Sequence, residues 1–500
     1  MAVCSLKVML VDAPTKISPL SRQATWVVGC RIVSILATLA ANVLAARLLG
    51  PAEFGRYLFL FSVVVCGGLL GAGGLCDAVL RFTSESLALD RRSLAVAYTR
   101  RTMQLGVAST LIAAGVILAA LCGFQFATDR LARPVLLLSL TVLALAALAW
   151  QQLASETLRA WNNLKLASLF SGGAAGGPLS TLLFLFGLIG LLAARVPVTA
   201  AEILGLLAAS VCVSVPFALW SVWRMLHHNQ SPHSDEAAIA LTKGQTRQLL
   251  AMAGTVLAIN LLAFFGEQLD IWIGKALLPP DQLGIYGVAK RSMLLTAMPV
   301  QMAMLAIIAA IPRLHAQQRR GELQDLMRGS AGLAAVPALG AIVLLVLFPE
   351  PILQFLFGGS YSGAAPLIRI LAIGQAALVF VGNPSNVLYL TGSHRTALAV
   401  NLTAVAAITL CGPLSVVYFG VVGLAWTMSG ALVLQYLLQW WFARQRTGVW
   451  THVSLPKSAL LNSITRRPRA AEASEATAGA GSSSSTIEIV RRFSQQSEAL

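Results

Sequence analysis

Arg31, Asp77, Asn260, Glu267, Asp270, Lys290 and Arg291 all stand inside long apolar stretches. Carrying an ionisable side chain into hydrocarbon costs about 2.5–3.5 kcal/mol on insertion scales, so such residues point to a purpose. Glu267 and Asp270 are three apart, which puts them on one face of a helix. Lys290 and Arg291 fall at similar depth on the next apolar stretch. Two chemistries fit this set. Either the carboxylates form a proton- or cation-responsive site that couples movement to a gradient, or the four charges are an ion-pair cluster clamping two helices. Intramembrane charges usually pair, which favours the clamp. Arg31 lies about 10 Å into the first apolar stretch at 1.5 Å per residue. It either faces a wet cavity, or snorkels to the nearer interface or pairs with Asp77.

Other chemistries are poorly served. There is no H-E-x-x-H, Walker A or G-x-S-x-G pattern, so no cofactor is expected and direct ATP coupling is disfavoured. His227, His228 and His233 cluster in one polar loop without accompanying cysteines, which is a weak metal signal. None of the seven cysteines forms a C-x-x-C pair, and most sit in apolar runs as small packing residues.

The elements that must position these residues are membrane helices. The 500 residues are 57% hydrophobic and 11% charged, with a mean hydropathy of +0.75; soluble domains carry about 25% charged residues. Twelve apolar spans are predicted, at 24–47, 55–79, 103–124, 134–156, 166–193, 200–223, 248–274, 283–311, 330–348, 366–390, 397–418 and 421–443. The chain then divides into a cytoplasmic N-terminal segment (1–23), a six-helix lobe (24–223), a cytoplasmic linker (224–247), a second six-helix lobe (248–445) and a disordered cytoplasmic tail (446–500). Arg and Lys gather on every second loop, which places both termini in the cytoplasm. The net charge of +16 reflects that bias, so no nucleic-acid partner is expected.

The two lobes are predicted to be copies. RLLGPAEFGRY (Arg47 to Tyr57) recurs as KALLPPDQLGIY (Lys275 to Tyr286): Leu48, Leu49, Pro51, Gly55 and Tyr57 meet Leu277, Leu278, Pro280, Gly284 and Tyr286. Arg91, Arg92 and Arg100 match Arg319, Arg320 and Arg328, and Lys165 matches Arg395, at almost the same offset. An even number of spans per copy makes a parallel repeat, the kind that places a substrate site between two rocking bundles. Arg31 and Asn260 are repeat partners, whereas the partners of Glu267, Asp270, Lys290 and Arg291 are Thr38, Ala41, Phe61 and Ser62. The break itself is expected to be a tight hairpin with Phe54 and Tyr57 at the membrane interface. The basic stretches around Arg91 and Arg319 are expected to form short amphipathic helices on the inner surface.

RLLGPAEFGRYLFLFSVV, LDIWIGKALLPPDQLGIYGVAKR, LFGGSYSGAAPLIRILA and YLTGSHRTALAVNLTA together resemble Wzx-type oligosaccharide flippases. These are the polysaccharide transporters of the multidrug/oligosaccharidyl-lipid/polysaccharide exporter superfamily. The resemblance spans about 20 to 445 and implies an all-α, MATE-like inner-membrane protein of two six-helix bundles. It implies movement of undecaprenyl-diphosphate-linked oligosaccharide between leaflets, not catalysis. Membrane lipid, a polysaccharide polymerase and export machinery are the implied partners. On this reading Arg31, Asn260 and Asp77 line the substrate cavity, with the Arg31 fork on the diphosphate. Related branches flip the peptidoglycan lipid precursor or exchange drugs for ions. A membrane polymerase or glycosyltransferase would carry a large outside loop; the longest here, Pro349 to Pro366, holds a single carboxylate, Glu350.

Overall fold

A computed structural model describes residues 19–128, 134–171, 176–195, 197–228, 241–307 and 310–454. Residues 455–500 of the expected tail, His233 and most of the central linker lie outside the described residues. The expected disorder does not hold for 446–454, which end the last helix and pack back on the bundle, with Thr451 donating to the Val381 carbonyl and Val453 N–H to that of Phe380. Among the described residues every element is a helix. The first half holds α1 (Pro19–Ala72), α2 (Leu75–Ala88), α3 (Arg92–Thr128), α4 (Pro134–Ala160), α5 (Leu164–Phe170), α6 (Pro178–Ala194) and α7 (Ala200–His228). The second holds α8 (Lys243–Leu277), α9 (Pro280–Ser292), α10 (Leu294–Ile307), α11 (Ala310–Ala316), α12 (Arg320–Leu347), α13 (Pro349–Leu356), α14 (Ala365–Val381), α15 (Pro384–Leu390) and α16 (His394–Thr447). Pro178, Pro280, Pro349 and Pro384 each open a helix, where the missing N–H is not needed. A Thr242–Gln245 capping box starts α8.

Among the described residues eight helices are long and apolar enough to cross a membrane. Two of the eight are hairpins. α1 reverses at Gly50: Trp26 donates to the Lys165 carbonyl past the end of α4, whereas Glu53 meets Ala200 and Gly71 lies against Ala149. α16 reverses at Gly420, where Thr427 donates to Ser415 and Gln439 to Asn401 across the hairpin. Two broken segments, α5–α6 and α9–α11, supply the remaining passes of the expected twelve. Side chains such as Ile112, Val336 and Tyr418 are exposed along these helices, as lipid contact requires in a multi-pass membrane protein.

Several expected spans are not single helices. The second breaks at Gly73–Gly74, the eighth between Ser292 and Leu294, and the tenth at Gly382. The fifth is split as well, with Pro178 opening α6. Conversely, the basic stretches are no separate surface helices: Arg92 and Arg320 are the first residues of α3 and α12, which run on unbroken into the apolar spans. The arginines thus sit on the inner turns of long helices, where nothing interrupts the backbone ladder.

The repeat is visible in the backbone. After α2, Arg91 N–H bonds to the Ser86 carbonyl and Asp90 N–H to Leu87; after α11, Arg319 bonds to Leu314 and Gln318 to His315. These are Schellman closures with a left-handed residue, Asp90 (φ 55°) or Gln318 (φ 57°), at equivalent places. The pair recurs one hairpin on, at Asn162 (φ 60°) and Gly392 (φ 85°). We call this face inner and the face carrying Gly50 and Gly420 outer.

The repeated Pro/Gly break joins the two copies. Gly55 lies flat against the Pro280 backbone and Gly284 against that of Pro51, so a Cβ on either glycine would overlap the opposing carbonyl oxygen. This reciprocity is what a pseudo-two-fold contact demands. Leu58 then fills the space above Gly287, its own repeat partner. Phe54 and Tyr57 are 0% and 4% exposed in the core shared by both halves. The expectation of interfacial aromatics therefore fails: the turn they flank faces a second turn, not the headgroups. Outside this junction Tyr361 donates to the Ala46 carbonyl at 2.8 Å, and Arg47 to the carbonyls of Phe355 and Leu356.

Candidate functional site

Three of the sequence candidates converge on the inner half of the junction. Asp77 is in the first turn of α2, where the helix dipole favours a carboxylate. It lies within interaction range of Asn260, midway along α8. Gly73–Gly74 makes this contact possible, because the break lets α2 lean on α8 with Gly74 against the Ala253 backbone. Arg31 is half-buried on α1, within electrostatic reach of Arg159, which also acts on Asp77. Arg159 in turn pairs with Glu156 at 2.9 Å and donates to Ser171. Glu156 and Arg159 are not among the sequence candidates. The (i, i+3) spacing of the two at the end of an apolar span was the available signal. An apolar cleft of about 380 Å³, lined by Leu70, Ile112, Val116, Leu250 and Leu257, opens at the same α1–α3–α8 junction.

The four second-half charges separate into two roles of geometry. Asp270 is fully buried; Lys290 Nζ lies 2.7 and 2.8 Å from its carboxylate oxygens, and Tyr286 donates to it at 2.5 Å. This pair ties α8 to α9 next to the turn–turn junction. Glu267 and Arg291 line a cavity of about 470 Å³, which Lys290 also borders. The Arg291 guanidinium reaches 5.7 Å from the Phe61 ring of the first half, so this cationic edge touches the seam between copies.

Most of that cavity is lined by groups the sequence did not flag. Asn401 Oδ1 accepts from Gln435 Nε2 and Gln439 Nε2, each at 3.0 Å, and Asn401 Nδ2 donates to the Tyr389 hydroxyl at 3.0 Å. Gln375 and Asn383 complete the amide wall. Gln435 and Gln439 are one turn apart on α16, so both reach the same partner across the Gly420 hairpin. A search restricted to ionisable residues passes over them. His227 and His228 sit at the end of α7, and among the described residues no group of three metal-ligating side chains forms.

A family model described as "Polysaccharide biosynthesis protein" matches residues 43–366. Among curated proteins there is no significant match. Solved structures of the same fold include an inward-facing multidrug resistance MATE family transporter of the MOP superfamily, at 13% identity and a TM-score of 0.65, covering 85% of this chain and 98% of that one. The lipid II flippase MurJ in an inward closed conformation matches at 12% identity and 0.62, over 83% and 86%. A MOP superfamily transporter from Pyrococcus furiosus matches at 14% and 0.57, over 87% and 99%. At these identities the likeness is one of fold.

Proposed function

We propose, since the chain belongs to the polysaccharide biosynthesis protein family and has the fold of membrane transporters, that it is a flippase for lipid-linked oligosaccharide. It moves undecaprenyl-diphosphate-linked units from the cytoplasmic to the periplasmic leaflet of the bacterial inner membrane, with both termini in the cytoplasm. The observation that supports this reading is a cavity with amide and charged groups on its wall inside an otherwise apolar helical body. A diphosphate with sugars cannot cross hydrocarbon unaided, because stripping water from its charges costs on the order of tens of kcal/mol.

The roles follow from placement. Arg31 holds the diphosphate at the inner half of the seam through forked hydrogen bonds. Asp77 and Asn260 latch α2 to α8 beside it, and the latch must break as the halves rock. The lipid chain lies in the neighbouring apolar cleft, so the headgroup alone enters the cavity. Asp270–Lys290 is a clamp, while Glu267, beside Arg291 on the cavity wall, is the carboxylate suited to respond to a coupling ion. Ion-coupled antiport is the second reading, and Glu267 on the cavity wall is what favours it.

Deleting the gene in its host is expected to abolish surface or exported polysaccharide and to leave lipid-linked units on the inner leaflet. Restoring the wild-type chain recovers export. Arg31→Ala, present in the membrane at normal level, is expected to restore less than a tenth of it, and Arg31→Lys an intermediate amount. Full export from Arg31→Ala would remove Arg31 from the substrate path.

A further inference from the structure

We infer that the amide wall in the second half is a sugar subsite that reads the hydroxyl-rich end of the glycan, separate from the place where the diphosphate is held. This rests on the flippase reading above and adds a recognition role to it. Gln439 is 1% exposed, lines the cavity, and its Oε1 accepts no hydrogen bond within the protein. A buried acceptor left open is costly unless a ligand fills it. A donor from the ligand must therefore meet it, and hydroxyl groups are donors that also accept from neighbouring amide N–H groups.

The rest of the wall narrows the class. Asn401 Oδ1 already receives two N–H donors, and Asn401 Nδ2 is spent on Tyr389. These bonds fix the rotamers of Gln435 and Gln439 before any ligand arrives, so the site is preorganised. A metal cation is disfavoured, because Glu267 is the single carboxylate among the lining residues and the Arg291 cation stands on the same wall. A drug-like apolar cation is disfavoured for the same reason. A neutral or weakly acidic sugar ring suits amides, a tyrosine and a cationic edge together. The volume of about 470 Å³ falls within the range of small-ligand sites, roughly 300–1,000 Å³. The cavity also opens beside Phe61 of the first half through Arg291, which places it next to the seam that carries the rest of the substrate.

The site sits beside a reporter. Trp440 adjoins Gln439 and packs against Trp450 with ring centroids 4.8 Å apart and the planes tilted by 39°, so ligand entry is expected to change tryptophan fluorescence. The full chain in lipid nanodiscs is titrated with glucose, galactose, mannose, N-acetylglucosamine and glucuronic acid. At least one is expected to give a saturable change. Gln439→Met should weaken it by about ten-fold, the worth of one or two hydrogen bonds. No saturable change with any of the five, or equal affinity in Gln439→Met, overturns the subsite.

A second arm uses proteoliposomes and two substrates, undecaprenyl diphosphate with and without its oligosaccharide. Gln439→Met is expected to slow the glycosylated lipid about ten-fold and leave the bare lipid unchanged. Equal slowing of both makes the amide wall structural and overturns the proposal. Saturable sugar binding by a wild-type chain that flips neither lipid keeps the subsite and overturns the flippase reading instead.

Discussion

Gly284→Ala is expected to abolish transport and to destabilise the purified protein by about 2–3 kcal/mol, the upper end of the cost of overpacking. The reason is geometric. The added methyl would overlap the carbonyl of Pro51, a backbone atom with no rotamer to change. The two halves must separate at their outer ends, and Tyr361–Ala46 and Arg47–Leu356 are strained with them. Gly55→Ala should do the same from the other side, against Pro280. Because both act on one contact, the double variant should cost less than the sum of the singles. Gly340→Ala is the control: nothing lies within 4 Å of its Cβ position, so helix propensity alone makes it neutral or slightly stabilising. Thermal unfolding in detergent, followed by tryptophan fluorescence, measures all four. A Gly284→Ala protein as stable as Gly340→Ala would mean that the turns do not bear on one another.

Lys290→Met carries the second large effect. It leaves the Asp270 carboxylate fully buried with only neutral donors, the Tyr286 hydroxyl and the Ile271 N–H, to compensate for the lost cation. Removing one member of a buried pair typically costs about 3–5 kcal/mol. Asp270→Asn combined with Lys290→Met removes the charge and keeps an acceptor for Tyr286, so most of that loss should return. The double variant also separates clamp from coupling. A clamp predicts transport at close to the wild-type rate once stability is recovered. A well-folded double variant without transport would assign Asp270 to the coupling ion. Unfolding midpoints and flipping rates on the same preparations give both answers.

The all-helical, two-copy architecture was legible because hydrophobic length, basic inner loops and the Pro51–Gly55 break repeat in register. The structure returns the same offsets in the paired turns at Asp90 and Gln318 and at Asn162 and Gly392. The role of the break was not legible. Pro51 and Gly55 read locally as an ordinary hairpin, and only three-dimensional closure shows that Gly55 faces Pro280. Helix breaks were also hidden, since an apolar stretch keeps its hydropathy across Gly73–Gly74 or Ser292–Leu294.

The candidate site was legible in its charges and silent in its amides. Asp77 and Asn260, far apart in sequence, do meet, and Asp270 and Lys290 do pair. Asn401, Gln435 and Gln439 carried no signal, because isolated amides in apolar helices are common packing and hydrogen-bonding residues. Their convergence depends on the Gly420 hairpin bringing the two arms of α16 side by side.

The most direct measurement is leaflet transfer by the purified full-length chain in proteoliposomes. A fluorescent undecaprenyl-diphosphate oligosaccharide is loaded on one side, and its appearance on the other is read by accessibility to a membrane-impermeant quencher. Time-dependent transfer well above protein-free vesicles, reduced at least ten-fold by Arg31→Ala, is the predicted result. Transfer no faster than in protein-free vesicles, alongside dye movement driven by an ion gradient, would contradict it.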